Sequence, residues 1–286
     1  MPALEKPYAL ESEKALEPRM NAGARLKVLR RRFRVLRPRA RLLLYILRNR
    51  QRPANEVFRG AWQMVDGAAH ALSVRRNFRK IPVRHIQHYN LRQSIKVFFP
   101  DFTAELSADP KVIEVLREAP SVIATIHTRS ELAICAALDR AGLRSAIITS
   151  SPIDPIDAGN YAFGTLPLNV LRDRNVFMEA RAALRKVGIV VCDVDFVRDR
   201  GGAEEANYIS ASFFAFQQAV KARLYFGYTI IRQDGVMECV IVPSTGHATS
   251  PAAAALEFID FIDRMQGKKS GLEIGTWQPP ATGSAQ

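Results

Sequence analysis

Ser121–Ser150 reads SVIATIHTRSELAICAALDRAGLRSAIITS, and the fold class follows from how this stretch divides. Val122-Ile123-Ala124-Thr125-Ile126 is a continuous apolar run of strand length, the pattern of a strand buried on both faces. His127 leaves its end, a helix carrying Glu131 comes next, and Ser145–Thr149 is a second buried strand. A histidine at the end of a buried strand, with a carboxylate one helical turn later, is a candidate acid–base pair. Side chains at i and i+4 share a helix face, and an imidazole with an ordinary pKa of about 6.5 takes and returns a proton near neutrality.

The same alternation extends outward in both directions. Glu56–Leu72 (EVFRGAWQMVDGAAHAL) reads as an amphipathic helix. Phe102–Glu118 reads as an acidic helix before the first core strand, and Ser151–Val170 as a loop by its Pro, Asp, Gly and Asn content. Leu171–Lys186 follows as a helix capped near Asp173 or Asn175 and ended by Gly188. A strand, Ile189–Cys192, then runs into the acidic turn Asp193-Val194-Asp195. Arg198–Asn207 reads as a charged Gly-Gly loop, and Ser212–Phe226 looks like the next helix of the family that the chain resembles below. Gly227–Arg232 and Val236–Val242 make a hairpin across Gln233-Asp234-Gly235. Pro251–Met265 closes the domain as a helix. The expected fold is therefore α/β, a mixed, mostly parallel sheet flanked by helices. Its site would lie at the carboxyl end of the first core strand, where His127 emerges. The expected organisation is a basic arm over 1–52, the α/β domain over 53–266 and a polar tail over 267–286.

Composition narrows the partners. With 41 Lys and Arg against 28 Asp and Glu, the 286 residues carry a formal net charge of +13, which attracts anionic surfaces. The charge is concentrated: Arg19–Arg52 holds 13 cations and no acid. Leu26, Leu29, Phe33 and Leu36 recur at helical spacing among those arginines, a narrow apolar stripe on a cationic helix that Pro38 interrupts. Such a helix suits an anionic membrane surface. The same pattern can grip nucleic-acid phosphates or pack as a plain arm on the domain. No RRM, KH, zinc-finger or helix-turn-helix signature supports nucleic acid.

The three cysteines, Cys135, Cys192 and Cys239, stand in apolar contexts with no CxxC pair, which argues for reduced core thiols. His85 and His88 have a spacing that suits a metal but no third ligand follows, and His70 is a lone histidine on a helix. No metal site and no cofactor is expected. The first 20 residues lack an apolar h-region, so no secretory signal is expected. Leu42–Leu47, LLLYIL, falls well short of the roughly 20 apolar residues that span a bilayer. No GxGxxG, GxxxxGK[ST] or GxSxG occurs, which removes motif support for a dinucleotide site, a P-loop or a hydrolase elbow.

Asn90–Asp101 (NLRQSIKVFFPD), the following acidic helix, VIATIH and HTRSELAICAALDRAGLRSAIITS together resemble the bacterial lipid A biosynthesis (lauroyl/myristoyl) acyltransferases. These belong to the lysophospholipid acyltransferase superfamily. The resemblance covers roughly Asn90–Pro243 and describes a divergent member, with three residues between His127 and Glu131 where the family has four. It implies a glycerolipid acyltransferase-like fold and transfer of a fatty acyl group from an acyl thioester to a hydroxyl of a lipid or glycolipid. The donor would be acyl-carrier protein or acyl-CoA. It further implies that His127 is the general base, that Glu131 orients it, and that Arg129, Arg172, Arg174 and Asp193 bind substrate. The implied place of work is the cytoplasmic face of the inner membrane, peripherally bound through residues 19–52. Two other readings stay open: an inactive relative that binds lipid or a partner at the membrane, and a nucleic-acid binder acting through its basic arm.

Overall fold

The computed structural model describes residues 41–75, 91–92, 95, 106–107, 109–127, 131–153, 161, 163–173, 175–199, 205–267 and 269–275. The chain divides into two compact units, Met1–Leu47 and Arg48–Gln286. In the first, residues 41–47 are helical, and Leu43, Leu44 and Leu47 are exposed. The apolar stripe expected at Leu26–Leu36 lies outside the described residues.

The second unit opens with helix α1 (Ala54–Arg75), then strand β1 (Leu106–Ser107) and the short helix α2 (Pro110–Leu116). Strand β2 (Ser121–Thr125), helix α3 (Leu132–Arg140), strands β3 (Ala146–Thr149) and β4 (Leu168–Leu171), and helix α4 (Val176–Val187) follow. Next come β5 (Ile189–Asp193), β6 (Asp195–Asp199), β7 (Glu205–Ser210) and helix α5 (Ala211–Val220). The unit ends with β8 (Arg223–Ile231), β9 (Met237–Pro243), helix α6 (Pro251–Gln266) and β10 (Glu273–Gly275).

Seven strands form the main sheet in the order β1-β9-β8-β2-β5-β3-β4. All neighbours are parallel except the hairpin pair β8 and β9. The chain is thus α/β, with a mixed, mostly parallel sheet flanked by helices. β2 sits at the centre between β8 and β5, and every residue of β2 and β5 is buried. That double-sided burial is why both read as unbroken apolar runs rather than alternating ones.

One face of the sheet is covered by α4, α5 and α6. α4 buries Val176, Ala180, Ala183 and Leu184, a stripe at helical spacing, and turns Arg181, Arg185 and Lys186 to solvent. Gly188 ends it at φ 84°, a left-handed conformation that costs glycine nothing. Phe214 of α5 meets Phe258 of α6 in an aromatic cluster that also takes in Phe213, Phe226 and Phe261. α3 is buried at every position from Ala133 to Leu138, and its small residues let it lie close against β8 and β9. Where it crosses β8, Ile134 and Ile123 fill the space that a side chain on Gly227 would need.

Several segments differ from the sequence expectation. Part of the expected loop 151–170 is strand: β4 pairs in parallel with β3 along the sheet edge. The Gly-Gly segment lies between β6 and β7, which form an antiparallel ladder, and β10 from the expected polar tail adds to β7. α2 starts only at Pro110, because Asp109 caps it by accepting the Lys111 main-chain N–H at 2.9 Å. The helix expected to reach Phe226 stops at Val220, with Lys221 at φ 54°, and the apolar run beyond it is strand β8.

Candidate active site

The carboxyl edge of the central parallel strands carries the ionisable cluster. β2 and β5 run in register, with Thr125 opposite Asp193. The pairing continues one step further, since the Val194 N–H donates to the Thr125 carbonyl at 2.8 Å. The Val194 carbonyl in turn accepts the Ser210 N–H at 2.7 Å, and there the chain passes from the main sheet into β6 of the small sheet. Ile126 and His127 leave β2 alongside this junction, so His127 emerges beside the Asp193-Val194-Asp195 segment.

Asp195 holds the histidine in two places. Its Oδ1 accepts the main-chain N–H of His127 at 2.8 Å and meets the ring Nδ1 at 2.9 Å. Because that oxygen already accepts a main-chain donor, Nδ1 is the donor in the second contact, and Nε2 is the ring nitrogen left outside the Asp195 contact. Nε2 lies 3.4 Å from Oδ2 of Asp193. Both aspartates are buried, while the histidine side chain is 39% exposed, enough to be reached from outside.

This arrangement changes the acid–base character of the ring. Burial pushes the imidazole pKa down, but the Asp193 charge, the hydrogen bond to Asp195 and the Asp195 charge outweigh it. The net result is a pKa raised to about 9. Asp193 is displaced upward as well. Its burial and the nearby Glu131 carboxylate hold it well above the usual carboxylate range, against the opposing pull of His127 and Arg172.

The structure distributes the sequence candidates as follows. His127 and Asp193 come together. Glu131, immediately before α3, acts on the ring through its charge, and Asp195 and Asp193 lie within 3.4 Å of the ring nitrogens. Arg172 follows β4, its N–H anchored to the Thr149 carbonyl at 2.8 Å. Its guanidinium donates to the main-chain carbonyl of Asp193 and lies 3.9 Å from the Cys192 sulfur. Arg129, Arg174, His85 and His88 fall outside the described residues. Among the described residues no cluster of His, Cys, Asp or Glu has the arrangement of a metal site.

Asp195 was not among the sequence candidates. The available signal was the Asp-x-Asp spacing after a strand, because residues two apart in extended chain point to the same side.

Next to the cluster is a small pocket open to solvent. Its wall is mainly apolar, formed by Ile148, Val176, Phe177, Val194, Phe196 and Phe213, with Arg172 and Asp193 as charged members. Asp193 therefore belongs both to the pocket wall and to the histidine contact.

No family model matches the chain, and no curated protein matches it at a significant level. Chemically, the cluster presents one reachable imidazole nitrogen, a second nitrogen fixed by a buried carboxylate, and an apolar pocket alongside. Such a group can exchange a proton with a ligand held partly in the pocket.

Proposed function

We propose that the chain is an O-acyltransferase, moving a fatty acyl group from an acyl thioester to a hydroxyl of a lipid or glycolipid acceptor. The observation that carries this reading is the double hold of Asp195 on His127, which fixes the ring tautomer and leaves Nε2 as the reacting nitrogen. Nε2 takes the proton of the acceptor hydroxyl as its oxygen attacks the thioester carbon. The carbonyl π pair moves onto oxygen and returns as the C–S bond breaks. The thiolate leaves with the bonding pair and takes the proton from Nε2. Asp195 supports the charged ring in between. The apolar wall of the pocket offers a contact surface for part of an acyl chain, and Arg172 in that wall supplies positive charge for the developing oxyanion.

The resemblance of Asn90–Pro243 to the lipid A acyltransferases supports the same reading, and with it an acyltransferase-like fold and acyl-carrier protein or acyl-CoA as donor. No described helix is long and apolar enough to cross a membrane. Peripheral attachment to an anionic surface through residues 19–52, on the cytoplasmic face of the inner membrane, fits the 13 cations gathered there.

The direct test is transfer of labelled acyl chains from acyl-carrier protein or acyl-CoA to lipid acceptors, with His127→Ala as control. Loss of transfer in the variant supports the reading, and equal turnover sinks it. Deleting residues 1–52 is expected to abolish sedimentation with anionic vesicles.

A second reading has a specific observation in its favour. A ring raised to about 9 is mostly charged at neutral pH, which suits an inactive relative that binds lipid in the pocket. That protein would bind lipid without turnover at any pH, whereas the enzyme would turn it over.

A further inference from the structure

Asp193 is an unusual neighbour for a reacting nitrogen. It is 3% exposed, its Oδ2 lies 3.4 Å from His127 Nε2, and its Oδ1 is buried with no hydrogen-bond partner among the described residues. A buried carboxylate left partly unpartnered is costly when ionised. Its position is nevertheless imposed by the main chain, through the register with Thr125 and the Arg172 bond to its carbonyl. The charged groups around it are Glu131, His127, Asp195 and Arg172. Glu131 and Asp195 disfavour a third negative charge, while His127 and Arg172 favour it. The carboxyl and the ring thus both tend to keep a proton, and they face each other across one short gap.

We propose that Asp193 is a positioning residue acting through His127: its carboxylate forms a close ion pair with the ring and keeps the proton on Nε2 until a bound donor group comes between them. The two sites then titrate as a pair rather than singly. An oxygen about 2.8 Å from both Nε2 and Oδ2 closes a triangle on their 3.4 Å separation, so a ligand hydroxyl can touch both atoms. Once there it relays the proton to Asp193: the N–H bond at Nε2 breaks as the ligand oxygen takes that proton, and the ligand's O–H bond breaks as an O–H bond forms at Oδ2, so the ligand is left a hydroxyl. The ion pair becomes a neutral acid and a neutral imidazole, and no outside proton is needed. The imidazole is then free to take the ligand's own proton. The consequence for turnover rests on the proposed acyl transfer, whereas the ion pair and its coupled titration do not.

The test is a titration of the full-length protein with labelled histidine, followed by NMR. The His127 signal is assigned by its loss in His127→Gln. In the wild type, His127 is expected to titrate near 9. Asp193→Asn is expected to lower its proton affinity tenfold or more, and Glu131→Gln by less. A wild-type His127 that titrates near 6.5 overturns the proposal, even if the Asp193 variant fails to fold. So does an Asp193→Asn variant that changes the affinity no more than Glu131→Gln. If the titration behaves as expected and acyl transfer is absent, the enzyme reading fails and the role of Asp193 stands. If transfer occurs and His127 titrates near 6.5, the role of Asp193 fails alone.

Discussion

A single oxygen of Asp195 accepts both the main-chain N–H of His127, at 2.8 Å, and its ring Nδ1, at 2.9 Å. The contact joins residues 68 apart in sequence, brought side by side because β2 and β5 are parallel neighbours. Fixing one residue through both its backbone and its ring leaves the imidazole little rotational freedom. Orientation of this kind is what a proton-transfer group needs before a substrate arrives.

The raised pKa of His127 makes stability depend on pH in a defined direction. The folded ring binds its proton more tightly than the unfolded one, whose value is 6.5. Its contribution is therefore complete below about 6.5 and is lost as pH rises through about 9. Asp193, also raised, acts with the same sign. The urea midpoint is expected to fall between pH 6.5 and 9, with a flatter profile in His127→Gln. A midpoint that climbs across that window would contradict the assignment.

All three thiols are expected to resist alkylation in the native state. Burial pushes Cys135, Cys192 and Cys239 up to about 12, and at Cys192 the Arg172 charge offsets only part of that effect. At pH 8 the thiolate fraction is on the order of one in ten thousand. Mass spectrometry after a brief iodoacetamide pulse should find them unmodified until denaturant is added.

Gly227 is expected to accept a methyl side chain only at a cost in stability. A Cβ there would meet Ile134 Cδ1 at 2.8 Å and Ile123 Cγ2 at 3.0 Å, at the crossing of α3 over β8. Gly227→Ala should cost about 1–3 kcal/mol by overpacking, read as a lower urea midpoint with an unchanged slope. An unchanged midpoint would mean that α3 does not approach β8 so closely.

The centre of the fold was legible from sequence because strands buried on both faces leave continuous apolar runs, as Val122–Ile126 and Ile189–Cys192 do. The edges were not. β4 buries only Val170, and β10 has no buried residue, so neither leaves a strand signature. The end of α5 was hidden for a different reason: Lys221, not glycine, takes the left-handed position there. His127 could be found from its place after a strand, and Asp193 from the acidic turn. The partner of the ring could not. A four-residue spacing pointed to Glu131, which is local, whereas Asp195 is chosen by strand order, on which periodicity carries no information.

The most direct measurement compares the kcat of acyl transfer in Asp195→Asn and Glu131→Gln, each against wild type and His127→Ala. If His127 works through Asp195, Asp195→Asn loses about 10²- to 10⁴-fold, close to His127→Ala, while Glu131→Gln loses less than about tenfold. A collapse in Glu131→Gln with Asp195→Asn near wild type would contradict that account.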